Sequence, residues 1–270
     1  MIKKIAFLTL SILFYTISIY GQKDSINIYQ VQYERSLTFE DSDRPFVSIY
    51  EYTKFIEFNK AIYKRKNKIK KTNTLVKGEQ DDSILIFTPS SKNVSVVYKD
   101  YDKRKLYSKH EVAFKYFVVK DDLDICNWDI LDEKKYILGY ECQLASMTFR
   151  GRKYQAWFTS KLPVGGPWKY DGLPGMILEI KSMDNFIAFK AIGLKNELLT
   201  INSITNPFKT NKAITWQEFK VLYKKKAIEL INYRPNSESL GIETSRGGIE
   251  TYIDEDDKEY NNELKKILNK

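Results

Sequence analysis

One histidine, two cysteines and an aspartate set before a glycine corner are the residues best able to do chemistry, and their scarcity restricts it. His110 is the only histidine among 270 residues, so no site built on two histidines and no HExxH helix can form. A Cys–His nucleophile pair would need Cys126 or Cys142 as a free thiol. A Ser–His–Asp relay would have to use His110, and no serine stands in a G-x-S-x-G elbow. Within Ser108-Lys109-His110-Glu111 the histidine has polar neighbours and reads as a surface residue. No metal and no cofactor is expected. Asp171 reads either as one carboxylate of a hydrolytic pair or as an Asx residue capping its own turn.

Arg150 and Arg152 flank Gly151. With Lys153 their guanidinium forks could grip a carboxylate or phosphate, or they could simply be solvated. Trp157 and Trp168 read either as stacking platforms for a ligand or as core. The cysteines suggest a disulfide. A hairpin turning at Asp132 to Lys135 would place Cys126 opposite Cys142, with Cα atoms about 4.5–5.5 Å apart, a separation a disulfide accepts. An oxidising compartment would favour the bond.

The densest structural punctuation lies between Cys142 and Ile180. Ala145, Met147 and Phe149 alternate with polar residues, Gly151 interrupts, and Tyr154, Ala156 and Phe158 resume, which predicts a hairpin turning at Arg150 to Arg152. Pro163, Gly165, Gly166 and Pro167 stop the second strand. Gly172-Leu173-Pro174-Gly175 then predicts a tight corner of type II form, with at least one glycine at positive φ and Leu173 pointing inward. A strand starts at Met176. The run from Gly166 to Ile180 (GPWKYDGLPGMILEI) resembles the signature of the GLPGLI family, with Met176 where that family usually has leucine. Phe149-Arg150-Gly151-Arg152 and Ala156-Trp157 fit the same pattern. The resemblance covers roughly residues 125 to 182. It implies an envelope or secreted protein of certain Gram-negative bacteria with no established biochemical role. It marks Arg150, Arg152, Trp157, Gly166, Pro167, Trp168, Tyr170, Asp171, Gly172, Leu173, Pro174 and Gly175 as signature residues able to form a binding surface.

The elements that must position these residues are mostly strands. Residues 1–21 read as a signal peptide: Lys3 and Lys4, an apolar run from Ile5 to Tyr20, then Gly21. No later apolar run approaches the ~20 residues needed to span a bilayer, so an integral membrane protein is not expected. Aromatic residues make up 14% of the chain, with 19 Tyr and 15 Phe, a composition suited to pleated, half-buried surfaces. The net charge of +9 favours polyanions in general but carries no specific nucleic-acid motif. Strands are predicted at 25–33, 46–58, 84–88, 94–98, 106–109 and 114–120, then as two hairpins over 126–137 and 142–160, then from 176 and over 186–192. The basic run Lys60 to Lys71 reads as a solvated edge or loop, or as a polyanion contact. Thr215 and Glu218 form a capping box, with Ile214 and Phe219 as its staple, opening a helix over 215–233. That helix reads as docked on the sheet, or as a membrane-surface helix through its lysines. Residues 236–270 read as a polar, mobile tail ending in a short helix near 262–268.

Strands at close spacing without intervening helices predict a mainly β fold: an antiparallel meander forming a curved or half-barrel-like sheet with a C-terminal covering helix. The expected organisation is one β-rich domain over 22–235. Three functions fit. One is a non-enzymatic binding, chaperone or assembly factor of the envelope, with a groove for an outer-membrane protein or an apolar or acylated ligand. The second is a carboxylate-dependent hydrolase around Asp171. The third is a structural protein binding polyanions or anionic lipid. The expected location is periplasmic, outer-envelope-associated or secreted.

Overall fold

The computed structural model describes residues 25–39, 44–66, 96–112, 115–208, 210–232 and 246–268. The signal-like residues 1–21, the expected strand over 84–88, the start of the one over 94–98 and the end of the basic run at 67–71 lie outside them. The described strands are β1 (Ser25–Leu37), β2 (Phe46–Phe55), β3 (Lys60–Arg65), β4 (Val97–Asp100), β5 (Lys105–Val112), β6 (Lys115–Asp122), β7 (Asp129–Ile137), β8 (Tyr140–Phe149), β9 (Arg152–Thr159), β10 (Met176–Ser182), β11 (Ile187–Thr200) and the two-residue β12 (Ile214–Thr215). They form one 12-stranded sheet in the order β12-β6-β5-β4-β3-β2-β1-β11-β10-β9-β8-β7. Neighbours are antiparallel except β12, which runs parallel to β6, so the sheet is mixed and not closed. The mainly β reading therefore holds.

Alternation sets the inner face. Tyr33, Tyr50, Tyr63 and Val97 are buried, and the pairs Tyr33 with Tyr50, Tyr63 with Val97, and Val97 with Ser108 lie opposite one another across adjoining strands. Strand spacing shows how far this face curls. β6 and β9 are eight places apart in the sheet order, about 38 Å if the sheet were flat. Yet Arg150, in the turn before β9, donates to Asp121 of β6 across 2.7 Å. The sheet thus bends until its two sides meet over a shared aromatic core. The interior does not stay empty: the connection from β9 to β10 folds into it, burying Gly165, Gly166, Pro167, Lys169, Tyr170, Asp171 and Leu173.

Several expectations change. The 126–137 stretch is no hairpin: β7 continues through Asp132 to Lys135, with a bulge between Ile130 and Lys134, and the chain turns at Leu138 (φ 51) and Gly139 (φ 83). That two-residue turn with both φ positive suits the twist of the flanking strands, which a turn built on Asp-Glu-Lys-Lys would not. Arg150 (φ 45) and Gly151 (φ 87) form the same kind of turn where one was expected. The run from Lys60 to Arg65 is neither edge nor loop. It is β3, paired on both sides, and its alternation of Ala61 and Tyr63 inward with lysines outward carries it into the sheet.

The capping box forms as read. Glu218 N–H donates to Thr215 Oγ1 (3.2 Å), and Thr215 N–H donates back to Glu218 (2.7 Å). It opens α1 (Trp216–Asn232), whose Phe219 packs with Val112 and Val119 at the β6 end of the sheet, so the helix covers one end rather than the whole face. The C-terminal stretch is packed over 246–268, not free. Glu250, Ile253 and Tyr260 are buried, and α2 (Lys258–Leu268) docks on α1. No described helix is long and apolar enough to cross a membrane.

Candidate functional site

Two buried charge networks hang on the signature loop, one at each side of Tyr170. The first centres on Lys169, fully buried, whose ammonium donates to both carboxylate oxygens of Glu250 at 2.8 Å. Asp121 Oδ2 lies 3.7 Å away. Arg150 binds the same two carboxylates, Glu250 and Asp121, with its guanidinium 3.6 Å above the Trp216 ring. Two cations thus face two anions in a site nearly closed to water, where an unpaired charge would be costly. Burial and the neighbouring Arg150 push the Lys169 ammonium below its ordinary pKa, while Glu250 opposes that fall.

His110 completes this network. Its Nε2 lies 3.0 Å from Lys169 Nζ and 3.0 Å from Ser108 Oγ, and its Nδ1 lies 3.4 Å from the Tyr252 hydroxyl. An ammonium can only donate, so Nε2 accepts and the ring proton belongs on Nδ1. Burial, then Lys169 and Arg150, hold the imidazole well below its usual pKa of 6.5, so it is neutral at physiological pH. The expected surface histidine is therefore buried and packed 4.9 Å from the Phe219 ring. In β5 it shares parity with Leu106 and Ser108, which places it on the inner face.

The second network centres on Asp171. Its Oδ2 accepts from Lys99 Nζ (2.8 Å) and Tyr101 Oη (2.7 Å), and its Oδ1 accepts from Gly172 N–H (2.9 Å). Lys99 also donates to the carbonyls of Gly166 (3.0 Å) and Tyr170 (2.8 Å), and Trp128 donates to the Asp171 carbonyl. These contacts clamp the loop to β4 and saturate the carboxylate. Asp171 caps its turn, as one reading had it, and also neutralises a buried lysine.

Beside the first network lies a cleft of about 240 Å³. Tyr50, Tyr63 and Trp168 form its walls, His110 and Glu250 reach it from the charged ring, and Arg35 stands at its side. Tyr50 and Tyr63 stack with ring centres 4.9 Å apart and planes 1° from parallel. Trp168 holds a φ of 51, a backbone state rare outside glycine, and meets Tyr170 edge to face. Among the described residues no group of three or more histidine, cysteine, aspartate or glutamate side chains is placed to hold a metal ion.

A family described as a protein of unknown function (Porph_ging) matches residues 150–179. That is the Arg150 turn, β9, the buried loop and the start of β10. No curated protein matches the chain. Two solved structures are similar in shape. "Structure of PNGF-II in P21 space group" shares 14% identity at a TM-score of 0.47, covering 74% of this chain and 34% of that one. "Structure of PNGF-II in C2 space group" shares 14% identity at a TM-score of 0.41, covering 70% and 30%. The chain spans about a third of the length of these structures.

The signature residues do not form one surface. Trp168 walls the cleft and Arg150 bonds Glu250, which lines it, while Tyr170, Asp171 and Leu173 are buried in the core. Trp157 sits on the outer face of β9, where Lys135 lies 4.5 Å over its ring. The expected anion grip at the turn is already occupied within the chain: Arg150 by Glu250 and Asp121, Arg152 by Asp184 and the Gly248 carbonyl. Pro174 and Gly172 are exposed. The corner is tighter than type II. Gly175 N–H reaches the Leu173 carbonyl at 2.7 Å, a three-residue turn, because Gly165 also bonds this segment on its other side.

The disulfide is absent, and both cysteines are free and buried. With the turn at Leu138–Gly139, the residue opposite Cys142 is Lys135, while Cys126 lies against the signature loop near Gly172. Sequence reasoning also missed Lys99, Lys169, Asp121 and Glu250. Lys99 left one signal: it shares strand parity with Val97, so a lysine falls on the apolar face.

Proposed function

We propose that the chain is an exported binding protein of the bacterial cell envelope that holds a small, flat organic ligand in the Tyr50–Tyr63–Trp168 cleft without acting on it chemically. One observation carries this reading: the cleft is walled by aromatic rings, and Glu250, which lines it, is already neutralised by Lys169 and Arg150 behind it. Rigid rings offer binding area with little conformational entropy to lose, and a carboxylate already paired within the chain does not repel a guest. His110 Nε2 faces two donors and Lys169 is held by Glu250, so neither group is spare for proton transfer. Asp171, the centre of the hydrolase alternative, has its carboxylate saturated and is buried. Export is supported by the signal-like residues 1–21 and by the resemblance of the signature run to GLPGLI proteins.

The test is recovery of the mature protein from its native envelope, followed by denaturation and mass spectrometry of what is released. A small molecule enriched with the wild type and lost from Trp168→Ala supports the reading. Equal release from both proteins, or release of nothing, overturns it.

A further inference from the structure

We infer that the cleft carries an anion subsite, and that its ligand is a small organic carboxylate with a planar apolar body. This rests on the binding reading above and adds the ligand's chemical class. Arg35 of β1 and Ser48 of β2 lie directly opposite one another and share the inner face. Tyr50, two residues beyond Ser48, stacks on Tyr63 of β3, and the Arg35 guanidinium lies 4.5 Å over the Tyr50 ring. Around this patch three polar atoms, Arg35 Nε, Ser48 Oγ and Tyr63 Oη, are buried and have no hydrogen-bond partner. Arg35 and Tyr63 both line the cleft.

Buried polar groups in folded proteins are almost always paired, so three orphans on neighbouring strands beside a cavity call for an acceptor from outside the chain. All three can donate. One is a permanent cation, and no carboxylate among the described residues pairs with it. The other charges around the cleft do not cancel it. Glu250 is neutralised by Lys169 and Arg150, and Glu111 lies at the opposite strand parity from His110 and accepts from Tyr116. A singly charged, planar carboxylate matches one guanidinium and two hydroxyl donors. Trp168, only partly buried, and the ring edges of Tyr50 and Tyr63 then contact an aromatic or similarly flat body. A volume of about 240 Å³ accommodates a body of one or two rings.

The experiment is calorimetric titration of the mature protein with 2-naphthoate, its neutral analogue 2-naphthamide and 2-naphthyl phosphate. The expected result is saturable binding of the naphthoate about tenfold or more tighter than either analogue. Arg35→Gln should abolish that preference and leave the amide unchanged, and Tyr63→Phe should weaken the naphthoate severalfold. Should Arg35→Gln fail to fold, the Arg35 Nε proton–nitrogen resonance of the wild type decides: it must shift with the naphthoate and not with the amide. Amide binding as tight as naphthoate, or an unmoved resonance, overturns the anion subsite and leaves the binding reading standing. Phosphate binding as tight as naphthoate overturns the carboxylate class. Binding of none of the three overturns both readings.

Discussion

Lys169 Nζ stands 2.8 Å from both carboxylate oxygens of Glu250, a residue 81 positions further along the chain. The contact ties the buried signature loop to the C-terminal segment and leaves each charge compensated only by residues far away in sequence. Removing one partner leaves the four-charge network with one uncompensated charge in a site nearly closed to water. Lys169→Met should therefore cost about 3–5 kcal/mol, and Glu250→Gln a similar amount. The double variant should cost less than the sum of the two, because it strands one charge fewer. Urea unfolding of the four proteins measures the coupling. Additive losses would mean that the pair does not act as a unit.

The glycine corner offers a contrast. At Gly172 (φ 92) an added Cβ meets nothing closer than 3.7 Å, so Gly172→Ala should cost only the backbone strain, about 1–2 kcal/mol. At Gly175 (φ 156) a Cβ would sit 2.0 Å from the Thr159 carbonyl oxygen, which is backbone and cannot step aside. Gly175→Ala should cost about 3 kcal/mol or more and loosen β9 from β10. Equal midpoints for the two variants in denaturant would show that the corner is not held as described.

Thiol chemistry tests the pairing of the cysteines. Burial pushes both the Cys126 and Cys142 thiols up to about 11, so neither should react with an alkylating agent at neutral pH while the protein is folded. Unfolded without reductant, the chain should expose both of its two cysteines to labelling. Counting labels by mass spectrometry decides it, since a disulfide would give none.

Acid should weaken the fold through His110. Its pKa is pushed well below 6.5 in the folded state, whereas the unfolded chain takes up the proton near 6.5. Below that pH the unfolded state binds more protons, so stability is full above about 6.5 and falls as pH drops. The His110 contribution should approach about 1.4 kcal/mol per pH unit below that point. The measurement is unfolding free energy at several pH values for wild type and His110→Gln. The wild type should lose more stability on acidification than the variant, and parallel curves would place the histidine in water.

Much of the local structure was legible in the chain. Thr215 and Glu218 announced the start of α1, because a capping box is settled by residues three apart that satisfy each other's backbone. Arg150-Gly151 announced its hairpin through alternation on both sides. The cysteines misled for a related reason. Asp132-Glu133-Lys134-Lys135 is polar enough to suggest a turn, but Gly139 supplies the positive φ that a two-residue turn needs. A shift of the turn moves every cross-strand partner, so Cys142 came to face Lys135.

By itself the sequence determined the local conformations: the strands with their inward and outward faces, the capped helix, and the tight corner before Met176. These depend on residues a few positions apart, whose sterics and hydrogen bonds act before any tertiary contact exists. Only the tertiary structure decided what the polar residues do. His110 looks solvated among Ser108, Lys109 and Glu111, yet strand parity and a curling sheet bury it beside Lys169. Glu250 belongs to a stretch that reads as a tail, and it is buried because two cations from elsewhere in the chain lie unpaired without it. Arg35, Ser48 and Tyr63 come together through strand register, which no short window of sequence contains. A charge is tolerated inside a protein according to what faces it across space, and that depends on how the sheet closes on itself.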